Sequence, residues 1–197
     1  IIMKIINEFP THIGIFQIDN SESLNKGLTE LILNLKQEDN HQRSMVGGYH
    51  TKEDLLSLDN PFIKEFHKII SKKIIDYHSQ TTKEKVGRDS RMVSWGMIYG
   101  PGAYSKTHTH PLADIVTAYY CKVPKDLNNE GLFEYIDPRP NAKHDINFTH
   151  ESVKRILPKE GLGVIFPGWL DHYVTPHNIK DKRICIATNI FIDHKSV

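Results

Sequence analysis

The second half of the chain is a succession of short apolar segments, and this pattern most constrains the fold. Each segment is rich in β-branched or aromatic residues and ends at Gly, Pro, Asn or Asp, which is typical of strands bounded by turns. The predicted strands are RMVSWGMIYG, DIVTAYYCKVP, GLFEYID, GLGVIFP, DHYVTP and RICIATNIFID. Short strands that follow one another without helical segments between them predict a sandwich or a jelly roll.

The part of the chain before residue 91 contains two predicted helices. The first follows the N-cap residues Asp19, Asn20 and Ser21 and has leucines at helical spacing: Leu24, Leu28, Leu31 and Leu35. The second has Asn60 as its cap and Pro61 as its first residue, a combination that favours a helix start. Its apolar stripe consists of Phe62, Phe66, Ile69, Ile70, Ile74 and Tyr77.

These patterns predict a mainly β (α+β) protein with N-terminal flanking helices. We expect one domain over residues 1–197, with helical support from residues 1–90 and a jelly-roll core over residues 91–197. Gly47 and Gly48 predict a turn between the helices. The polar segment PRPNAKHDINFTHESVKRILPK interrupts the strands and is predicted to be a loop, of a length that indicates a functional or mobile segment.

Charge and cysteine content narrow the class of partner. The formal net charge of +1 provides no overall attraction for nucleic acid or an anionic membrane, so we expect a small-molecule or protein substrate. No apolar run approaches the ~20 residues of a membrane span. The two cysteines lie inside apolar segments, which argues against a disulfide framework and favours the cytoplasm. The composition leaves open whether the chain forms an oligomer.

The stretch SKTHTHP places His108 and His110 one residue apart. In a strand, such residues point to the same face, about 6.5–7 Å apart along the chain, and their imidazoles can converge on one ion. A third ligand is available in His172, which begins a predicted strand after a Pro-Gly turn. Imidazole suits Fe, Zn, Cu or Ni, so the ligands do not name the metal. Taken alone, the first two histidines are more typical of surface positions than of a metal site.

The last predicted strand adds a buried cation. Its period of two places Arg183, Cys185, Ala187 and Asn189 on one face, opposite an isoleucine-rich face. Burying the charged guanidinium of an inward-facing arginine costs free energy unless it has an anionic partner. A bound carboxylate would provide one. The alternative is a surface ion pair with Asp181 or Asp171, which would be of little consequence.

Together, these motifs resemble the Fe(II)/2-oxoglutarate oxygenases, and most closely a microbial and phage branch of that superfamily. The resemblance is carried by HTH, GLFEYIDPRP, GLGVIFPGWLDH and the following arginine, with FPTHIGIF, GGYHTKEDLL and SWGMIYGPGAYSKTHTHP in support. It implies a double-stranded β-helix of the cupin type, with iron bound at His108, His110 and His172. It also implies that Arg183 holds the distal carboxylate of 2-oxoglutarate, and that a substrate is hydroxylated with release of succinate and CO₂.

The sequence departs from the usual pattern of this superfamily at two positions. The superfamily normally has a carboxylate where this chain has His110, and Asp114 is an alternative ligand that a turn after Pro111 could bring to the ion. Many relatives have Ser or Thr where this chain has Cys185, which is a weaker hydrogen-bond donor. Tyr104 and Asn189 are further candidates for contact with the cosubstrate, and Asn189 also for contact with the substrate.

Two other functions are compatible with the same residues. A cupin-type enzyme with a three-histidine metal site would use no 2-oxoglutarate. A non-catalytic jelly-roll binding domain would retain the fold without needing the metal.

Overall fold

The elements predicted from the sequence can be compared with a computed structural model, which describes residues 3–6, 8–35, 43–140 and 151–194. Within these ranges the chain forms two α-helices, α1 (Glu22–Asn34) and α2 (Pro61–Thr82), and a short 3-10 helix (Leu55–Ser57). Eleven β-strands form two sheets.

The second helix begins where the sequence predicts. The Asn60 side chain accepts hydrogen bonds from the backbone N–H groups of Phe62 (2.9 Å) and Ile63 (3.3 Å). Two of the donors that a helix start leaves unpaired are thereby satisfied. The helix ends at Thr82 and is capped by Lys83, whose φ of 64° is left-handed. This conformation commonly ends helices.

The larger sheet has six strands in the order β1-β9-β6-β11-β4-β3. Its strands are β1 (Gly14–Gln17), β3 (Tyr49–His50), β4 (Arg91–Tyr99), β6 (Ile115–Lys122), β9 (Leu162–Pro167) and β11 (Arg183–Phe191). Its outer face packs against both helices, because Leu28 and Ile32 of α1 and Phe66 of α2 share one core cluster with Ile184 and Ile186 of β11.

The smaller sheet has five strands in the order β2-β5-β10-β7-β8. Its strands are β2 (Met45–Val46), β5 (Tyr104–His108), β7 (Phe133–Ile136), β8 (Val153–Ile156) and β10 (His172–Val174). From β4 to β7 and again from β8 to β11 the chain alternates between the two sheets, and the strands within each sheet pair antiparallel. This is the arrangement of a jelly roll with N-terminal flanking helices, so the predicted fold class is confirmed.

A second core cluster lies between the two sheets and lines the interior of the sandwich. Phe133 of β7 and Phe166 of β9 approach to 5.1 Å between ring centroids. The predicted alternation of β11 is confirmed, because Cys185 belongs to this inner cluster, whereas Ile184 and Ile186 belong to the helix-facing cluster.

The six predicted strands are all present, and the structure contains further strands that the sequence pattern does not predict. The strands β1, β2, β3 and β5 were not predicted; two of them are only two residues long. The prediction that PRPNAKHDINFTHESVKRILPK is entirely a loop is wrong, because β8 lies within it and pairs with β7. Residues 141–150 of that segment lie outside the described residues. The single domain over residues 1–197, divided at residue 90, stays a prediction.

Candidate active site

A cavity lies between the two sheets, and we call it the central cavity. It is narrow, with about 40 Å³ of space in which the centre of a water molecule fits. It is lined by polar side chains and by apolar walls, including Ser44, Met97, Tyr99, Ser105, His108, His110, Val116, Tyr120, Phe133, Phe166, His172, Arg183, Cys185 and Ala187. The structure therefore brings His108, His110, His172, Arg183 and Cys185, all predicted from the sequence, into one site.

Three histidines meet at one end of this cavity. His108, His110 and His172 each offer a ring nitrogen, and these three atoms lie within 4.8 Å of one another. The Nε2 atoms of His110 and His172 are 3.3 Å apart, a spacing that two imidazoles can take when each nitrogen is about 2.0–2.1 Å from the same ion. Among the described residues, this is the one group of His, Cys, Asp or Glu side chains with such a geometry.

Backbone carbonyls fix the ring orientation of two of these histidines. Nδ1 of His108 lies 2.7 Å from the carbonyl oxygen of Lys106, and Nδ1 of His172 lies 2.9 Å from that of Leu170. Because a carbonyl oxygen only accepts, Nδ1 must donate in both contacts, which makes Nε2 the unprotonated nitrogen, the one that can bind a metal.

A β-bulge allows His108 to face the cavity. His172 and Val174 of β10 are two residues apart, but they pair with His108 and Ser105 of β5, which are three residues apart. Side chains three positions apart point to opposite faces of a regular strand. The extra residue in β5 cancels this alternation, so both Ser105 and His108 line the cavity.

His110 is held by contacts between loops, since β5 ends at His108. Its backbone N–H donates to the carbonyl oxygen of Gly168 (2.8 Å), in the turn that precedes β10. The turn needs glycine, because a Cβ at residue 168 would lie 2.0 Å from the carbonyl oxygen of Ala113. His108 and His110 converge as predicted. They do so without a strand that spans both residues, because β5 ends at His108.

All three histidines are electrically neutral at neutral pH. Burial lowers the pKa of His110 to about 4 and that of His172 to about 3, and in both cases neighbouring imidazoles add to the effect. Burial also lowers the pKa of His108. Neutral imidazole is the form that binds metal ions, so the site is ready to bind one without first losing protons.

Arg183 lines the same cavity and is 1% exposed. Its Nη1 donates to the carbonyl oxygen of Gly131, and its guanidinium lies 4.1 Å from the centroid of the Tyr99 ring. Within the described ranges no carboxylate pairs with it, and its Nε has no hydrogen-bond partner. The surface ion pair with Asp181 is absent, because Asp181 pairs with Lys122 at 2.5 Å.

The other residues predicted from the sequence occupy different places. Cys185 lines the cavity, and burial raises the pKa of its thiol to about 11, so the thiol stays protonated. Asn189 is not among the cavity-lining residues; its side chain lies near His110, and its Oδ1 is buried without a hydrogen-bond partner. Tyr104 is 36% exposed and is not among the residues that line the cavity.

The structure does not place Asp114 with the three histidines of the candidate metal site. Its Oδ2 accepts a hydrogen bond from the backbone N–H of Ile192 (2.7 Å), and its Oδ1 lies 3.4 Å from Nε2 of His194. This carboxylate fastens the chain that follows β11 to the start of β6 instead.

Sequence reasoning missed several cavity residues. Tyr99 stacks beneath Arg183 and bonds Ser105 through its hydroxyl (2.7 Å), and Ser44 lies 3.2 Å from Nε2 of His108. Tyr99 lies opposite Arg183 in the β4–β11 ladder. The alternation of Trp95, Met97 and Tyr99 indicates a shared face, but the sequence contains no signal for the register that brings that face to Arg183.

Residues 93–189, which run from β4 to β11, match a protein-family model described as "Putative 2OG-Fe(II) oxygenase". A comparison with curated protein sequences finds no significant match.

Several solved structures are similar to this chain. A prolyl-4-hydroxylase from Pseudomonas putida has a TM-score of 0.68 at 11% identity, covering 93% of this chain and 94% of that one. The viral collagen prolyl hydroxylase of Paramecium Bursaria Chlorella virus-1, in complex with 2-oxoglutarate, has a TM-score of 0.60 at 16% identity, covering 90% and 94%. HygX from Streptomyces hygroscopicus, with nickel and 2-oxoglutarate bound, has a TM-score of 0.64 at 11% identity, covering 93% and 84%. At these identities the likeness establishes the fold.

Proposed function

We propose that this chain is a 2OG-Fe(II) oxygenase, because residues 93–189 match the model of that family. We propose also that His108, His110 and His172 bind the iron and that Arg183 binds the distal carboxylate of 2-oxoglutarate. The chain is thus a 2-oxoglutarate-dependent oxygenase, and hydroxylation of the substrate is the outcome that we propose for it.

The observation that carries this proposal is the unpaired guanidinium of Arg183. Burying a charge without a partner costs several kcal/mol, roughly, in a protein interior. Arg183 is almost fully buried, and its Nε has no hydrogen-bond partner in the described part of the chain. A carboxylate entering the central cavity would satisfy that group, as guanidinium and carboxylate match in geometry. The donor set of three imidazoles in the same cavity fits iron.

The protein's residues have separate tasks in this scheme. The three imidazoles would hold the metal, and Arg183, supported by Tyr99, would bind the distal carboxylate of the cosubstrate. Phe133, Phe166 and the other apolar walls exclude water and so strengthen the electrostatic contacts inside. When bound, iron and 2-oxoglutarate supply the oxygen chemistry, in which succinate and CO₂ are released as the substrate is hydroxylated.

Cys185 lines the central cavity, and Asn189 lies near His110. The Cys185 thiol lies two residues after Arg183 on the same face of β11, and we propose that it is a neutral neighbour of the cosubstrate. Tyr104, because of its exposure, is a weaker candidate than Tyr99 for a hydrogen bond to the cosubstrate.

The proposal is tested by 2-oxoglutarate turnover. Purified protein with Fe(II), O₂ and 2-oxoglutarate should release succinate, at a slow uncoupled rate without substrate and faster with candidate substrates. Anaerobic calorimetry with Mn²⁺ should show 2-oxoglutarate binding that Arg183→Met abolishes. Absence of both succinate release and 2-oxoglutarate binding would overturn the proposal.

The same experiments separate the two alternatives. A three-histidine cupin-type enzyme, which the all-imidazole donor set also fits, would bind metal but not 2-oxoglutarate. A non-catalytic binding domain would retain metal weakly, and His172→Ala would leave its metal content unchanged.

The ligands bound in two similar structures indicate a class of substrate for this chain. The structural relatives include HygX, solved with hygromycin B bound, and a prolyl hydroxylase from Trichoplax adhaerens, solved with a peptide fragment. We propose a peptide or a small molecule as the substrate of this chain also.

Within the described residues, no helix is both long and apolar enough to cross a membrane. We propose a reducing compartment, the cytoplasm, because Cys121 and Cys185 are free thiols buried in different core clusters.

A further inference from the structure

The three histidines of the candidate site are not supported in the same way. His108 and His172 each donate from Nδ1 to a backbone carbonyl, so their rings are fixed before any metal binds. The ring of His110 has no such carbonyl partner among the described residues, and its residue lies beyond the end of β5. Something else must orient this ring, since the ring nitrogens of a metal-binding histidine need a defined direction.

Trp95 provides one support for His110. Their rings stack with centroids 6.0 Å apart and an angle of 20° between planes. Trp95 is buried in β4, opposite Ala187 of β11, and it also stacks with His50 (5.3 Å, 17°). Parallel packing between aromatic rings at such distances adds to the stabilisation that burial alone provides. A ring held between the Trp95 face and the His172 ring, at 5.1 Å and 12°, has little freedom to rotate about its χ2 angle.

Asn189 provides the second support. It follows Ala187 on the cavity face of β11, and the Oδ1 atom of its amide is buried without a hydrogen-bond partner. An unpaired buried acceptor is rare in native proteins and calls for a donor. The Asn189 side chain also lies within hydrogen-bonding reach of the His110 side chain. The Nδ1–H of His110 is the donor that would match this acceptor.

We infer that Trp95 and Asn189 are the positioning residues of His110: the Trp95 face sets the plane of the imidazole, and Asn189 Oδ1 accepts from Nδ1–H. Nε2 of His110 is then directed at the metal beside Nε2 of His172. The side chain of Asn189 thus does for His110 what a backbone carbonyl does for each of the other two ligands. This inference rests on the proposed function, because it requires His110 to be a ligand.

The test measures metal affinity of the full chain by calorimetry, with Co²⁺ alone as the probe. Asn189→Leu removes the acceptor at similar size, and Trp95→Leu removes the stacking face. We expect each to weaken Co²⁺ binding by about 10- to 100-fold, the usual cost of losing a ligand's supporting partner. Asn189→Asp, which keeps an acceptor and adds charge, should bind Co²⁺ at least as tightly as the unaltered protein.

The chain provides a matched control for the tryptophan. It contains two tryptophans, and Trp169 is 54% exposed, so Trp169→Phe should leave Co²⁺ affinity unchanged. In that variant the remaining fluorescence comes from Trp95 and should be quenched when Co²⁺ binds. Absence of quenching would contradict the stacking on His110.

The absorption spectrum of bound Co²⁺ distinguishes positioning from a merely structural role. We expect the visible bands of Asn189→Leu to shift relative to the unaltered protein while its Tm is retained. Unchanged affinity and unchanged bands in Asn189→Leu would overturn the inference, even if Trp95→Leu does not fold. Unchanged affinity in His110→Ala would instead show that His110 is not a ligand, and would overturn the proposed metal site itself.

Discussion

At the scale of single residues, the central cavity is unusual in its charge. Three neutral imidazoles and one guanidinium line it, and no aspartate or glutamate is among its lining residues. A divalent ion would therefore meet no negative ligand from the protein in this cavity. The compensating charge has to come from the cosubstrate, which carries two carboxylates. Metal and cosubstrate should consequently strengthen each other's binding.

Replacing His110 with aspartate should weaken this mutual dependence. His110→Asp supplies the carboxylate that the superfamily usually has, so we expect Mn²⁺ to bind about tenfold more tightly in the absence of 2-oxoglutarate, or by about 1.4 kcal/mol. The gain in Mn²⁺ affinity on adding 2-oxoglutarate should be smaller than in the unaltered protein. Calorimetric titrations with and without 2-oxoglutarate measure both quantities, and equal gains in the two proteins would contradict the charge argument.

Replacing Arg183 should change binding and stability in opposite directions. Arg183→Met removes a buried cation but keeps most of its volume, so the ligand-free protein should be at least as stable, with an equal or higher Tm. Binding of 2-oxoglutarate should fall by roughly 30-fold or more, because truncating one partner of a buried charge pair costs about 2–5 kcal/mol. Thermal unfolding and calorimetry report the two effects separately. A large drop in Tm would show that the guanidinium mainly supports the fold.

At the scale of secondary-structure elements, a few local interactions decide where the chain turns. The Asn60 cap starts α2, and its two hydrogen bonds to Phe62 and Ile63 are local in sequence. The turns after β5 and β9, by contrast, depend on each other: His110 donates to Gly168, and Gly168 donates to Asp114 (3.1 Å).

Removing the Asn60 cap should destabilise the protein without altering the site. Asn60→Ala loses the side-chain acceptor and should lower the free energy of unfolding by about 1 kcal/mol, within a range of about 0.5–2 kcal/mol. Asn60→Asp retains an acceptor and should be close to the unaltered protein. Urea unfolding gives both values, and metal affinity should be the same in all three proteins.

Adding a methyl group at Gly168 should disturb both loops. In Gly168→Ala the new Cβ would meet the backbone oxygen of Ala113, which cannot move without shifting His110. We expect a loss of about 1–3 kcal/mol in the free energy of unfolding, the usual cost of overpacking, together with weaker metal binding. Gly100→Ala is the matched control, since a Cβ there meets nothing within 4 Å. Equal stability of the two variants would show that the two loops can move apart and accommodate the methyl group without a loss of stability.

The sequence predicted well those elements whose signals are local. Asn60 and Pro61 predicted the start of α2, and the alternation around Arg183 correctly predicted the two faces of β11. It missed β8, because VKRI has two exposed charged residues in the middle of a short edge strand. That strand is held by pairing with β7 and by the ion pair between Arg155 and Glu134 at 3.0 Å, contacts that become visible only in three dimensions.

At the scale of the whole molecule, the jelly roll assembles the site from distant parts of the sequence. Tyr99 and Arg183 become neighbours through the β4–β11 ladder, and Trp95 and His110 through the packing of a loop against that sheet. Motif spacing could predict the three histidines and the arginine as chemical types. It could not predict Tyr99, Trp95 or Ser44, because their roles depend on strand register and on the folded path of the loops.

The buried histidines should make the metal-free protein sensitive to acid. The pKa values of His110 and His172 are lowered to about 4 and about 3 from an ordinary value of 6.5. Below pH 6.5 the unfolded chain therefore takes up protons that the folded chain does not, and stability falls as the pH falls from about 6.5 towards 4.

Urea unfolding across this pH range measures the effect. The double variant His110→Asn, His172→Asn should show a shallower decline than the unaltered protein, whereas His67→Asn, on the exposed side of α2, should follow the unaltered protein. An identical decline in the double variant would mean that other groups cause the acid sensitivity.

The extra residue in β5 has a consequence for recognising proteins of this kind. In this chain, His108 of the His-Thr-His motif faces the candidate metal site because β5 contains one residue more than β10 between the paired positions. Deleting Lys106 or Thr107 would leave the His-Thr-His motif unchanged in the sequence. It should nevertheless turn the His108 side chain outward, because Ser105 remains paired with Val174. Two chains with the same motif can therefore differ in whether they bind a metal, and a length count between Ser105 and His108 distinguishes them better than the motif itself.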